Sequence, residues 1–229
     1  MQVADIPAVM VVEKQSFSMT WPANAYKREI KENRLAHYFV AMRTFPMASD
    51  DQPTGAEEQQ VSPQPATQQG VLWLINRLLG KLAGTIEEPT SEHERSKRIV
   101  GYAGLWLMVD EAHITTIAVA PSYRGLGLGE LLLLQLIDTA HRIGARYLTL
   151  EARVSNTLAQ NLYRKYLFKE TGIRRRYYSD NNEDAVIMWS DPLDSPGFQQ
   201  TIEAHRRSLM ERLRSPRTIT ELRARGAQT

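Results

Sequence analysis

The stretch HITTIAVAPSYRGLGLGELL, His113 to Leu132, gathers the residue types that could hold an anion. Gly125, Gly127 and Gly129 sit where a strand turns into a helix, and Arg124 adds a fixed positive charge beside them. Glycines let the backbone curl and aim its N–H groups at one point, just ahead of a helix whose first amides lack internal partners. The helix dipole adds to that field, so the chemistry implied is a phosphate or pyrophosphate cradle. The chain has no cysteine, which excludes disulfides, thiolate metal sites and cysteine nucleophiles, and no metal is expected. His113 could act as a base on chemical grounds, but its place on the strand ahead of the loop suggests a structural role. Glu111 reads as a turn charge.

The elements that must position this loop follow from periodicity. Ile114 to Val119 reads as its strand, and Leu128 to Ile143 as its helix, with Leu131, Leu132, Leu134, Ile137 and Ala140 inward and Gly144 as the C-cap. Upstream, Asp5 and Pro7 open a helix through Val9, Val12 and Phe17. Ser18 to Pro22 breaks it, and Asn24 can cap a second helix to about Asn33. His37 to Met42 reads as a strand. Ile99 to Met108 and Ala112 to Val119 form a hairpin turned at Asp110-Glu111. Downstream, Tyr147 to Ala152 is a strand carrying Glu151, Asn156 caps a helix through about Tyr166, and Phe168 to Tyr178 pairs with Ala185 to Trp189 around the polar turn 179–184.

The chain of 229 residues, 42% hydrophobic and 24% charged, suits one well-buried domain with appendages. A net charge of +2 is too mild to argue for nucleic-acid binding over the whole surface. No signal pattern and no run of about 18 apolar residues occurs, so a cytoplasmic protein without a spanning helix is expected. Residues 44–97 interrupt the domain, which otherwise covers 1–190. Ala48 to Gly70 is rich in Gln, Pro, Ser and acidic residues and is expected to be disordered. Residues 71–84, VLWLINRLLGKLAG, carry a short amphipathic stripe expected to pack on the domain's own surface. Residues 191–229 form a basic extension expected to be solvated and mobile, with contact to RNA as the minority reading.

Two ligand classes compete for the loop. Glu151, at the end of the next strand, sits about where a dinucleotide's ribose-binding acid would lie. Against a dinucleotide, Glu130 occupies the third glycine position of G-x-G-x-x-G, and the glycines follow an antiparallel hairpin. No Gly-Lys-Ser/Thr follows, so a P-loop fails as well. Arg124, Gly127 and Gly129 instead meet the pattern Arg/Gln-x-x-Gly-x-Gly/Ala, which resembles the acetyl-CoA loop of the GNAT acetyltransferases. The segments EAHITTIAV, LEARVSNTLAQNLYRKYLF and RRYYSDNNEDAVIM narrow this: they are similar to the bacterial ribosomal-protein-alanine N-acetyltransferases. SFSMTWPANAY resembles that family's substrate-side loop. The resemblance covers residues 1–43 and 98–190.

It implies a GNAT fold of the α/β (α+β) class: a mixed, mostly antiparallel sheet, splayed at the acetyl-CoA site, with flanking helices. It also implies acetyl transfer to the N-terminal alanine of the eighteenth small-subunit ribosomal protein, with acetyl-CoA as cosubstrate and no nucleic acid required; other protein N-termini, a small-molecule amine, or a non-catalytic acetyl-CoA-binding module are the alternatives. The backbone of Ile117, Ala118 and Val119 would pair with the pantetheine arm. Arg124, Gly125, Leu126, Gly127, Leu128 and Gly129 would take the pyrophosphate, and Asn156 would be a further coenzyme contact, though it serves equally as a plain helix cap. Glu151 matches the general base and Tyr163 the general acid. Trp21, Tyr177 and Tyr178 could wall the peptide groove. The family also has a strand ahead of its first helix, which this sequence does not show before Asp5. If that strand is absent, the sheet has an exposed edge.

Overall fold

The computed structural model describes residues 1–44, 97–215 and 220. The expectations for 48–70 and 71–84 lie outside them. The chain divides into two compact units, one made of Met1–Ala41 with Ile99–Thr229 and the other of Met42–Arg98.

Among the described residues the elements run α1 (Ile6–Ser16), α2 (Ala23–Glu32), β1 (Ala36–Thr44), β2 (Lys97–Met108), β3 (Glu111–Val119), α3 (Leu128–Arg142), β4 (Tyr147–Arg153), α4 (Thr157–Lys165), β5 (Phe168–Tyr178), β6 (Glu183–Ser190) and α5 (Pro196–Arg214). The sheet order is β1-β2-β3-β4-β6-β5. Only β3 and β4 pair in parallel among the registered neighbours; β2–β3, β4–β6 and β5–β6 are antiparallel. The mixed, mostly antiparallel sheet with flanking helices is therefore as expected. β1 lies at one edge, where the backbone nitrogen of Met1 donates to Tyr38 O at 3.0 Å.

Local details move by a residue or two. The β2–β3 turn is Val109-Asp110, with Met108 opposite Glu111 and Val109 at φ +60°. Glu111 opens β3 instead of sitting in the turn. Pro22, not Asn24, occupies the N-cap of α2. Its fixed φ suits the entry to a helix, and Asn24 falls inside the first turn.

The C-terminal segment corrects a larger expectation. Instead of a solvated tail, α5 is a 19-residue helix that buries Phe198, Ile202, Leu209, Met210 and Leu213. It packs on α3, where Arg206 makes two hydrogen bonds to Asp138 at 2.6 and 3.1 Å. This explains why α3 is buried nearly all round. Beyond the inward stripe the sequence predicts, Leu133 and Leu136 are also sealed from water, because the sheet covers one face and α5 the other.

Candidate active site

The parallel ladder between β3 and β4 has three pairs: Glu111–Tyr147, Ala112–Leu148 and His113–Thr149. β3 then continues to Val119 and β4 to Arg153 without further pairing. Opposite β2, Thr116 pairs with Gly104 and Ile114 with Leu105, so Thr115 is the extra residue of a β-bulge. A bulge bends its strand, and this one falls just past the last β3–β4 pair. The result is a splay between the two strands, with the backbone edge of Ile117, Ala118 and Val119 open along one side.

The glycine loop closes the far end of that edge. Pro121–Tyr123 makes a single 3-10 turn, and Arg124 Nε donates to Val119 O at 3.0 Å, tying the loop back to its strand. Gly125 and Gly127 have φ of +79° and +84°, and Gly127 is the N-cap of α3. Both lie in the left-handed region that glycine enters without steric cost. Gly129, expected to share that task, lies inside α3 with ordinary space around it, 3.7 Å from Leu162 Cδ2 to where a Cβ would stand. Leu126 and Leu128 are buried, so their amides, not their side chains, are what the loop can offer.

Glu151 stands at the mouth of the splay, its side chain 7% exposed. His113 Nε2 lies 3.2 Å from Oε2, and an Arg174 guanidinium nitrogen lies 3.2 Å from Oε1. Thr149 Oγ1 fixes the other ring nitrogen of His113 at 3.0 Å. The parallel register creates this arrangement by setting His113 beside Thr149, two residues before Glu151. The hydrogen bond from His113 holds the Glu151 carboxyl below its ordinary range against the opposing effect of burial, and the charges of His113 and Arg174 add to it.

Tyr177 and Tyr178 line the same region. Their rings meet edge to face at 5.2 Å, and the Arg174 guanidinium lies 5.6 Å from the Tyr177 centroid. Burial, then the charge of Glu151, raises the Tyr177 phenol. Burial pushes Tyr178 up to about 12, opposed by Arg153, whose guanidinium sits 3.9 Å over its ring. Tyr163, on α4, packs 5.8 Å from Phe168 and is 9% exposed. Burial and the proximity of Tyr178 raise its phenol above the ordinary value, so it keeps its proton at neutral pH. Tyr178 is thus within electrostatic reach of both Glu151 and Tyr163.

Other expected site residues divide. Asn156 is the N-cap of α4, its Oδ1 accepting from Ala159 N at 3.1 Å, so the cap uses its oxygen. Trp21 stands in an aromatic cluster with Tyr26 and Trp106, at 5.7 and 6.0 Å. It lines a cavity of about 340 Å³ with Arg28, Glu29 and Trp106, not with the tyrosine pair. Its loop nevertheless reaches the turn that follows Tyr178, since Met19 Sδ accepts from Ser179 at 3.3 Å and Ser18 bonds Asp180. The buried carboxylate of Glu13 supports that loop, accepting from Trp21 N and from Tyr26 Oη, both at 2.9 Å.

The contacts of His113 and Arg174 with Glu151 are details of the candidate site that composition does not reveal. The signal for His113 is faint: a histidine on one strand and an acid two residues past the expected pairing on the next. Among the described residues, no group of three or more His, Cys, Asp or Glu could hold a metal ion, and no helix is long and apolar enough to cross a membrane.

A six-stranded sheet splayed at its parallel pair, with a glycine loop leading into a helix, defines an acyltransferase architecture. The chain belongs to the acetyltransferase (GNAT) family, whose pattern it matches over residues 41–168. It is 32% identical over 82% of its length to a Bacillus subtilis (strain 168) protein assigned as a ribosomal protein bS18-alanine N-acetyltransferase, 91% of which is covered. It is 43% identical over 93 residues to the ribosomal protein bS18-alanine N-acetyltransferase of Escherichia coli (strain K12); that match takes in 40% of this chain and 63% of its relative. The crystal structure of the ribosomal-protein-S18-alanine N-acetyltransferase from Escherichia coli superposes with a TM-score of 0.55 at 26% identity, covering 86% of this chain and 93% of that one.

Proposed function

We propose that this acyltransferase moves acetyl from acetyl-CoA to the α-amine of the N-terminal alanine of ribosomal protein bS18, with Glu151 as general base and Tyr163 as general acid. One observation carries the reading: a nearly buried carboxylate at the mouth of the splayed pair, held ionised by His113 and Arg174, with the Tyr177 and Tyr178 phenols close enough to feel its charge. The relatives named for this acceptor support it.

Bound acetyl-CoA would supply the acetyl group as a thioester. The amides of Gly125 to Gly129 and the Arg124 cation suit its pyrophosphate, and the open edge of Ile117 to Val119 suits its extended arm. The Asn156 amide nitrogen is a further donor at the start of α4. A backbone N–H of β3 facing the splay stabilises negative charge on the thioester oxygen. An α-amine has a pKa of about 8, so a carboxylate, acting directly or through one water, suffices to take its proton. Glu151 accepts that proton as the nitrogen–carbon bond forms. The Tyr163 hydroxyl donates to the sulfur as the carbon–sulfur bond breaks and regains its proton from solvent. Tyr177, Tyr178 and the loop around Met19 wall the acceptor's path, with Trp21 supporting that loop from behind. Such an acceptor places the reaction in the cytoplasm.

Intact-mass measurement of bS18 after incubation with enzyme and acetyl-CoA tests the reading directly. The expected result is one added acetyl group, located on the N-terminal alanine. Acetylation only of peptides with Met or Ser starts, or only of small amines, would transfer the assignment to those acceptors. Glu151→Gln is expected to lower kcat by about 10²–10⁴ and Tyr163→Phe by about 10², both with coenzyme affinity unchanged by calorimetry. An unaltered rate in either variant removes that residue from its role.

A further inference from the structure

Glu130 sits in the first turn of α3, three residues after Gly127, at the end of the helix where the anion loop gathers its amides. A carboxylate in a first turn suits the helix dipole, but it opposes a second, larger negative charge brought to the same place. In this chain it is buried and engaged. Lys165 and the Tyr166 hydroxyl (3.0 Å) bond one carboxylate oxygen, and Arg212 of α5 bonds the other. Burial works to raise this carboxyl, yet the bonds from Lys165, Arg212 and Tyr166 leave it lowered, so it is a charged group whose field these cations cancel.

The same turn of α5 touches the loop itself. Leu209 and Leu213 pack over Gly127, where a Cβ would come within 2.8 Å of Leu209 Cδ1 and 3.5 Å of Leu213 Cδ2. One apolar contact and one ionic contact, a turn apart, therefore join α5 to the two ends of the loop-to-helix junction.

We propose that the C-terminal helix is a working part of the coenzyme site. Leu209 and Leu213 hold the Gly127 turn in shape, and Arg212, with Lys165, cancels the Glu130 charge that would otherwise repel the pyrophosphate. Arg212 is a positioning residue, half exposed at 51%, and does not touch the reacting atoms. This rests on the reading of the Arg124–Gly129 loop as the pyrophosphate cradle.

Steady-state kinetics with two donors test it: acetyl-CoA, and S-acetylpantetheine, which has the thioester but no pyrophosphate. Arg212→Gln removes one of the two cations paired with Glu130 and is expected to raise KM for acetyl-CoA about tenfold, the effect of one unit of charge near a protein surface, and to leave KM for S-acetylpantetheine unchanged. Arg212→Lys keeps the charge and is expected to keep the wild-type KM. The double variant Glu130→Gln/Arg212→Gln removes both charges and is expected to return KM for acetyl-CoA towards wild type. An equal rise for both donors, or no recovery in the double variant, would reduce Arg212 to a packing role and overturn the proposal. The cradle reading fails separately, if the wild-type enzyme uses acetyl-CoA no better than S-acetylpantetheine.

Discussion

His113 and Glu151 show how two side chains acquire meaning from register alone. On a single strand His113 is an ordinary polar residue, but the parallel pairing with Thr149 turns its ring towards the Glu151 carboxylate. Its hydrogen bond is the largest influence lowering that carboxyl, with burial opposing and Arg174 assisting. His113→Gln should therefore raise the Glu151 pKa, which carbon NMR titration of the Glu151 side chain would follow; an unshifted midpoint would mean that Arg174 suffices. The sign for stability follows. A carboxyl lowered in the folded state stabilises the protein above its ordinary value of 4.5, and this contribution is lost as pH falls through the folded value. In wild type the lowered Glu151 carboxyl is ionised at neutral pH, where an acceptor α-amine loses its proton. On the proposed mechanism the acceptor amine is then expected to govern the neutral limb of kcat/KM, which a pH–rate profile would read.

At the scale of elements, the loop between α1 and α2 and the turn between β5 and β6 are joined by one guanidinium. Arg153 donates to Asp180 at 2.7 and 2.9 Å, to Glu183 at 2.9 Å, to Asn181 at 3.0 Å and to Ser18 at 3.4 Å, while stacking on Tyr178. The Ser155 side chain and backbone N–H, then Arg153, hold the Glu183 carboxyl at about 2, and Asp180 is lowered chiefly by Arg153. The Glu183 contact is therefore fully present above the ordinary carboxylate range and is lost as pH falls towards 2, and the Asp180 contact is likewise lost below that group's ordinary range. Arg153→Lys keeps the charge but loses the planar fork that reaches several partners at once. It should raise KM for an N-terminal alanine peptide several-fold and leave KM for acetyl-CoA unchanged; equal changes in both would show that the loops do not shape the acceptor groove.

For the whole molecule, α5 belongs to the hydrophobic core that carries the site. Leu209→Ala should cost about 2–5 kcal/mol, because the cavity beside Gly127 can relax only partly, and calorimetry should show a lower Tm. A Tm equal to wild type would mean that the helix is dispensable for the fold. The helix was only half legible in the sequence. Ile202, Leu209 and Leu213 show on one stripe, but Arg206, Arg207, Arg212 and Arg214 among and after them suggest a solvated tail. Two of those arginines in fact neutralise Asp138 and Glu130 inside the domain. The strands, the glycine loop and the leucine helix could be read because their periodicity is local. The His113–Glu151–Arg174 contacts and the seat of Trp21 could not, since they depend on pairings between residues far apart in the sequence, on different strands or across the sheet.

The three-pair ladder between β3 and β4 has a consequence for thermal behaviour. It leaves the sheet as two leaves, β1-β2-β3 and β4-β6-β5, sharing a short spine of backbone bonds. A thioester arm lying along the open edge of Ile117 to Val119 would act as a bookbinder's thread, supplying to the first leaf the backbone partners that β4 does not. Saturating coenzyme, at about 100 times its Kd, should then stabilise the fold by about 2.7 kcal/mol. Scanning calorimetry should show Tm climbing with coenzyme concentration, so that the enzyme's durability tracks the supply of its own donor.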